Sequence, residues 1–334
     1  RERDLSAVVG DLQRAVAKAP QDRYPDAKAM AHELSKARAL LDGTEAPRVR
    51  SVRRLIVLPF RMLRPDPEID FLSFSLPDAI TLSLSALESL VVRSSYTAAA
   101  FAGPGSDLQR IADEAAVDIV LCGTLLRSAG DLRVTTQLVE APGGTLICSK
   151  TVQAPMADIF ELQDELTKQI VEAMAIPLTP GERGSLRRNV PASPHAYEHY
   201  LRANQLAHSN RRLADARDLY VACLEEDPSF APAWARLGRV HRLMAKYGHG
   251  DADKSFGLAE EAFRKALTLN PDLTMAQNLY TYLELEELGR TRESLVRLLE
   301  RVGQGRQDAE LYSALVVATR FAGLLKASVA ADTR

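Results

Sequence analysis

The chain has 334 residues, 46% of them hydrophobic and 26% charged, with a formal net charge of −2. That length suggests about two to three domains, and so much apolar material excludes a largely disordered chain. The charge balance gives no long-range attraction to nucleic acid or to an acidic membrane. Cys122, Cys148 and Cys223 stand far apart with no CxxC pair, which implies no disulfide framework and points to a reducing cytoplasm. No apolar run reaches the roughly 20 residues of a membrane helix. The best, Ala314 to Leu325, is broken by Arg320. The sequence opens on Arg1 without a signal-peptide pattern and reads as a piece of a longer polypeptide.

Leu5, Val8, Leu12 and Val16 recur at helical spacing, and a break follows at Ala19-Pro20-Gln21-Asp22-Arg23-Tyr24-Pro25. Asp26 then caps a second predicted helix with Ala27, Met30, Leu34, Ala37 and Leu41 on one face. Two such helices bury too little surface to fold alone. Pro20, Asp22, Arg23, Tyr24, Met30 and Leu34 resemble the last two helices of the C-terminal lobe of bacterial serine/threonine protein kinases. The resemblance implies that residues 1–42 are a kinase remnant in which Arg23 is structural, pairing with a glutamate of an activation segment that this chain lacks. The Gly-rich loop, the lysine strand, and the HRD and DFG motifs that hold ATP and magnesium are also absent from it. The open alternative is a free helical hairpin leading into the next domain. Residues 43–53, with Gly43, Pro47 and alternating charge, read as a solvated linker.

Residues 54–176 read as a small α/β domain. Leu55 to Phe60 is a buried strand. Ser75-Leu76-Pro77-Asp78 reads as a helix start with Pro77 in the first turn and Ile80, Leu84 and Leu87 inward. Leu90 to Ser94 is a second strand, and Ser106-Asp107-Leu108-Gln109 is a capping box for a second helix. Three strands follow, Asp118 to Leu126, Leu132 to Glu140 and Thr145 to Val152, joined by the turns Ala129-Gly130-Asp131 and Pro142-Gly143-Gly144. A helix from Asp158 to Ala175 buries Ile159, Leu162, Leu166 and Ile170. The order β-α-β-α-β-β-β-α implies a mixed sheet with helices packed on it. Val57-Leu58-Pro59-Phe60, Asp66-Pro67-Glu68, Leu76-Pro77-Asp78-Ala79-Ile80, Gly123 and Ile159-Phe160-Glu161-Leu162-Gln163 resemble a domain related to the amino-terminal domain of TolB. In bacteria such a domain recurs between a signalling module and tetratricopeptide repeats, so the resemblance implies an accessory, non-catalytic module. The family often has a glycine-containing acidic turn where this chain has Ser73-Phe74-Ser75. Gly103-Pro104-Gly105-Ser106 precedes a helix but lacks one amide donor and a following lysine, so it reads as a plain loop rather than a phosphate site. Asp66, Glu68 and Asp70 are too few for a calcium site.

A proline-rich, charged linker at 177–193 leads to residues 194–334, where the signal is a repeat. Ala216, Tyr220, Cys223 and Pro228 are spaced like Ala259, Phe263, Ala266 and Pro271. Upstream, Trp234, Leu237 and Gly238 hold first-helix positions. These residues resemble tetratricopeptide repeats, about three to four in number, the last beginning near Asp308 and incomplete. The spacing of Pro228 and Pro271 exceeds the usual period of about 34, and the extra residues are expected in the polar stretch Tyr247 to Lys254, between the helices of one repeat.

The fold class expected is therefore α+β and multidomain: a two-helix remnant, a small mixed-sheet domain and an all-α repeat superhelix. The resemblance to such repeats implies a concave face lined by first helices. Gln205, His208, Arg239, Arg242, Asn278 and Tyr282 are its candidate groove residues, with the arginines favouring an acidic peptide. His195 and His199 lie one helical turn apart, a metal-compatible spacing, but no third ligand is evident and Glu198 is misplaced for HExxH, so no metal site is expected. No nucleophile–base pair or phosphate loop stands out, and no catalytic residue or cofactor is expected in this chain. The preferred reading is the regulatory, protein-binding region of a cytoplasmic bacterial serine/threonine kinase. The alternatives are a kinase-independent scaffold, or the accessory region of a cyclase or transcriptional regulator.

Overall fold

The computed structural model describes residues 53–332 except 88, 104–106, 129, 177, 179–181, 183, 185–190 and 304–308. The kinase-like segment with Arg23, the linker at 43–52 and the Pro104-Gly105-Ser106 loop lie outside the described residues. Two compact units divide the chain, Val52–Leu283 and a second that runs from Glu284 onward.

The first unit is built on a six-stranded mixed sheet in the order β3-β1-β4-β5-β6, with β2 beside β4. Its strands are β1 (Arg53–Val57), β2 (Arg61–Met62), β3 (Leu90–Val92), β4 (Ile119–Ser128), β5 (Asp131–Glu140) and β6 (Leu146–Pro155). β3, β1 and β4 run parallel, while β4, β5 and β6 are antiparallel. The helices of this part are α1 (Leu72–Leu84), α2 (Ser95–Ala99), α3 (Leu108–Ala115) and α4 (Ile159–Ala173). This is the predicted order of elements with β2 and α2 added.

Patterning explains the layers. β1 is apolar at successive positions because both its faces are covered. Leu55 and Val57 join the core formed with α1 and α4, while Ile56 and Leu58 join a smaller one with Ile111 and Ala115 of α3. β5 alternates instead, burying Leu132, Val134, Thr136 and Leu138 and turning Arg133 and Gln137 outward. Gly123 on β4 makes room for a neighbour, since a Cβ there would lie 2.8 Å from the Phe60 ring.

One expectation needs correcting. The first helix begins at Leu72, so Pro77 sits in its interior and Ser73-Phe74-Ser75 is helical. Proline has no N–H to give the carbonyl four residues back. That carbonyl, Ser73 O, instead accepts from Phe60 N at 2.7 Å, which ties the connection after β1 to the helix. The local cost of the proline is thus offset by a tertiary hydrogen bond.

Helices α5 (Pro194–Leu206), α6 (Leu213–Glu226), α7 (Ala231–Lys246), α8 (Ala252–Leu269) and α9 (Thr274–Tyr282) complete this unit. Ala216, Tyr220, Cys223, Ala259, Phe263 and Ala266 are fully buried. Small residues let neighbouring helices approach, and Gly238 on α7 lies so close to α8 that a Cβ would stand 2.8 Å from the Phe263 ring. Leu237 is buried beside it, and Trp234 donates from Nε1 to Pro228 O at 2.9 Å. The joints after α6 and α8 share one conformation. Asp227 and Asn270 have φ,ψ of −131°, 82° and −140°, 92°, followed by exposed Pro228 and Pro271. Phe230 and Leu273 come three residues later, again alike at −77°, 87° and −70°, 93°. The extra length between the prolines is not an inserted loop. α7 and α8 have 16 and 18 residues against 13 and 14 in α5 and α6, and Lys254 lies in the first turn of α8. A longer helix pair keeps its backbone hydrogen-bonded throughout, which an eight-residue polar loop would not.

The chain crosses into the second unit through a wide helical turn at Leu283–Glu287. There α10 (Thr291–Gly303), α11 (Ala309–Phe321) and α12 (Leu325–Asp332) bury Leu295, Leu298, Leu299, Leu311, Leu315 and Ala318 together with Leu285. Gly289, at φ 63°, supplies the left-handed residue before α10. No helix among the described residues is long and apolar enough to cross a membrane.

Gly238→Ala should destabilise the first unit by about 1–3 kcal/mol, the usual cost of overpacking. Urea unfolding of Gly238→Ala with and without Phe263→Leu checks this: the smaller side chain should recover part of the loss.

Candidate functional site

The feature that organises the first unit is the seam between the sheet domain and the helices α5 and α7. α1, LSFSLPDAITLSL, is uncharged but for one residue and is buried along most of its length. That residue is Asp78, 1% exposed. Its two carboxylate oxygens accept from Arg236 Nη2 on α7 at 2.9 and 2.8 Å, and Ser95 Oγ of α2 donates to the same carboxylate. Burial works against the charge on Arg236, but the Asp78 carboxylate and the nearby Tyr200 and Tyr220 outweigh it and hold its pKa well above the usual value. The contact spans the seam, with Asp78 on α1 and Arg236 on α7.

Around it stands an aromatic and cationic cluster. His208 meets the Phe74 ring edge-on at 3.5 Å between centroids and the Tyr96 ring at 4.5 Å. The Arg239 guanidinium lies 4.4 Å above the Tyr96 ring. Burial lowers the pKa of Arg239 and, together with the two arginines and against the pull of Asp78, brings His208 down from 6.5 to about 4. Nearby, Gln163 of α4 accepts from Tyr197 OH of α5 and donates to Ser83 Oγ of α1 at 3.1 Å, linking three helices. Arg202 of α5 lies 4.3 Å above the Phe71 ring.

The structure therefore places two of the six predicted groove residues, His208 and Arg239, against the chain's own sheet domain. The Arg242 guanidinium lies 6.0 Å from the Tyr282 ring centroid. Gln205 is half-buried and its Oε1 has no hydrogen-bond donor among the described residues. Asn278 is half-buried on α9. Sequence reasoning missed Arg236 and Asp78. The available signals were one acid inside an apolar helix and an arginine three residues before Arg239, on one helical face.

The cavity against this seam, between Ala79, Gln163, Tyr200 and Phe230, has a volume of about 30 Å³, room for about one water. A wider open cleft of about 520 Å³ lies at the end of the sheet near Ile119, Glu140 and Met174, where Arg53 Nη1 donates to Met174 O at 3.1 Å. Cys223 is fully buried, and desolvation, with Asp227 and Glu226 beside it, pushes its thiol up to about 12, so it acts as a packing residue.

No family model matches the sequence. Over 223 residues, 65% of this chain, it is 28% identical to a Rhizobium meliloti (strain 1021) protein named "Putative adenylate cyclase 3". The chain spans 38% of that protein's length.

Asp78→Ala should cost about 3–5 kcal/mol, because it strands a buried guanidinium. Asp78→Leu combined with Arg236→Met should recover most of that loss in urea unfolding. For His208, the unfolded chain binds a proton below about 6.5 that the folded chain refuses until about 4. Its contribution therefore falls as pH drops through that window and is level below it. His208→Gln should flatten the stability–pH curve between those values relative to wild type.

Proposed function

We propose that this chain is the regulatory and protein-interaction region of a bacterial signalling enzyme, working in the cytoplasm and carrying no catalytic centre or cofactor of its own. The observation that carries the reading is the duplicated joint at Asp227–Phe230 and Asn270–Leu273, with the same backbone angles and a buried small–aromatic–small pattern before each. It supports taking α5 to α9 as tetratricopeptide-type hairpins, which grip partners along an inner face. His208 and Arg239 are engaged by the sheet domain in this reading, so an acidic peptide docks toward Arg242, Asn278 and Tyr282.

The preferred enzyme is a serine/threonine kinase, supported by the Pro20, Asp22, Arg23 and Tyr24 pattern. The repeats would bring a substrate or partner beside the kinase and raise its effective concentration. A second reading, the accessory region of a cyclase, is favoured by the likeness to the Rhizobium protein.

Reading the coding sequence upstream of Arg1 separates the two. HRD and DFG motifs would support the kinase, a cyclase catalytic domain the second reading, and neither would leave the scaffold. The chain itself should neither turn over ATP nor make cyclic AMP, and measurable activity in either assay overturns the non-catalytic reading. Affinity capture followed by mass spectrometry should retrieve a partner that Arg242→Glu loses. Identical capture by both proteins would remove the groove from the proposal.

A further inference from the structure

His195 and His199 stand one turn apart on α5, and the helical hairpin brings a third residue to them that lies on another helix. Glu226 ends α6, and one ligand atom from each of the three residues falls within 4.8 Å of the others. The Glu226 Oε1 atom is 2.6 Å from His195 Nδ1 and 3.6 Å from His199 Nδ1. The two imidazole rings are 4.3 Å apart between centroids. This carboxylate is held in place independently of the histidines. Ser193 Oγ donates to its other oxygen at 3.2 Å, and the neighbouring Asp227 accepts from Ala192 N at 2.7 Å, fixing the start of α5 to the end of α6.

His199 Nδ1 is a buried atom with no hydrogen-bond partner among the described residues. That nitrogen faces a carboxylate oxygen already contacted by His195, at a separation too long for a hydrogen bond. A cation between the two atoms would take a lone pair from each. A tetrahedral zinc ion with donors at about 2.0–2.1 Å holds those donors about 3.3–3.4 Å apart. The His199 distance is already close to this. The His195 distance must widen, which its side chain, 66% exposed, can do by rotation.

We propose that His195, His199 and Glu226 form a zinc site with two imidazoles and one carboxylate, its fourth position taken by water, clamping the start of α5 to the end of α6. Two imidazoles and a carboxylate with an open fourth position are a set that zinc takes, whereas magnesium and calcium take oxygen donors. The site shares no residue with the Asp78–Arg236 contact and does not depend on the function proposed above.

The test uses the 334-residue chain stripped of metal and titrated with zinc against a chromophoric chelator, with cobalt substituted to read coordination geometry. One zinc per chain, a tetrahedral cobalt spectrum and a zinc-dependent rise in melting temperature are expected. His195→Ala changes an exposed side chain and Glu226→Gln keeps its shape, so both variants retain the fold. Each should weaken binding by more than the roughly 10- to 100-fold that loss of an outer partner costs, and abolish the thermal shift. His249→Ala, exposed and remote in sequence, should bind as wild type. Absence of stoichiometric binding in the wild type overturns the proposal, as does unchanged affinity in His195→Ala or equal loss in His249→Ala.

Discussion

α1 lies between two layers and has to satisfy both. Its Leu76, Ile80 and Leu84 side chains enter a core shared with β1, β4 and α4, and the same core continues into Tyr197, Tyr200 and Tyr220 of the helical hairpins. A helix that buries side chains on nearly all sides has to be covered all round. The sheet alone leaves part of it bare, and the hairpins complete its enclosure. Asp78 is the one acidic or basic residue of α1, and Arg236 meets it across 158 positions of sequence. A buried pair of this kind adds less net stability than well-packed apolar groups would. Its effect is on alternatives, because a seating that keeps both groups buried but apart strands two uncompensated charges.

That arrangement bears on how the proposed interaction region works. An array of helical hairpins standing alone presents a continuous inner face. Here Phe74 and Tyr96 already rest on His208 and Arg239, so those two residues are engaged within the chain. The sheet domain and the hairpins then behave as a single body, and a partner gripping the hairpins would act on both. In the kinase or the cyclase reading, this is a way for docking at one end to be felt at the other.

Much of the architecture was legible because it follows from local periodicity. The alternation in Leu132 to Glu140, the inward face Ile159, Leu162, Leu166 and Ile170, and the repeated Ala–aromatic–small pattern each appear in the structure as read. The start of α1 was not legible. Pro77 carries the sequence signature of a helix N-terminus, and only the Phe60 amide, brought in by the sheet, makes an interior proline tolerable. The length added between Pro228 and Pro271 was visible, but polarity suggested a loop where the structure extends two helices. The pairs Asp78–Arg236 and His195–Glu226 join elements that no spacing rule connects. A residue three or four positions along a helix can be anticipated from the sequence. One on the facing helix requires knowing how the helices stack.

The bond between Phe60 N and Ser73 O makes Pro77 useful for what it withholds. Alanine is a far better helix former than proline in general. At this position it would bring a second donor to a carbonyl already claimed, leaving the Phe60 amide and the new helical amide to share one acceptor. The ring of Phe60 sits over Gly123, so a shift there would be transmitted straight into β4. A residue that ordinarily breaks helices here reserves an acceptor for the connection between β1 and β2, and a consensus-minded engineer who replaced it would loosen that connection while improving the helix.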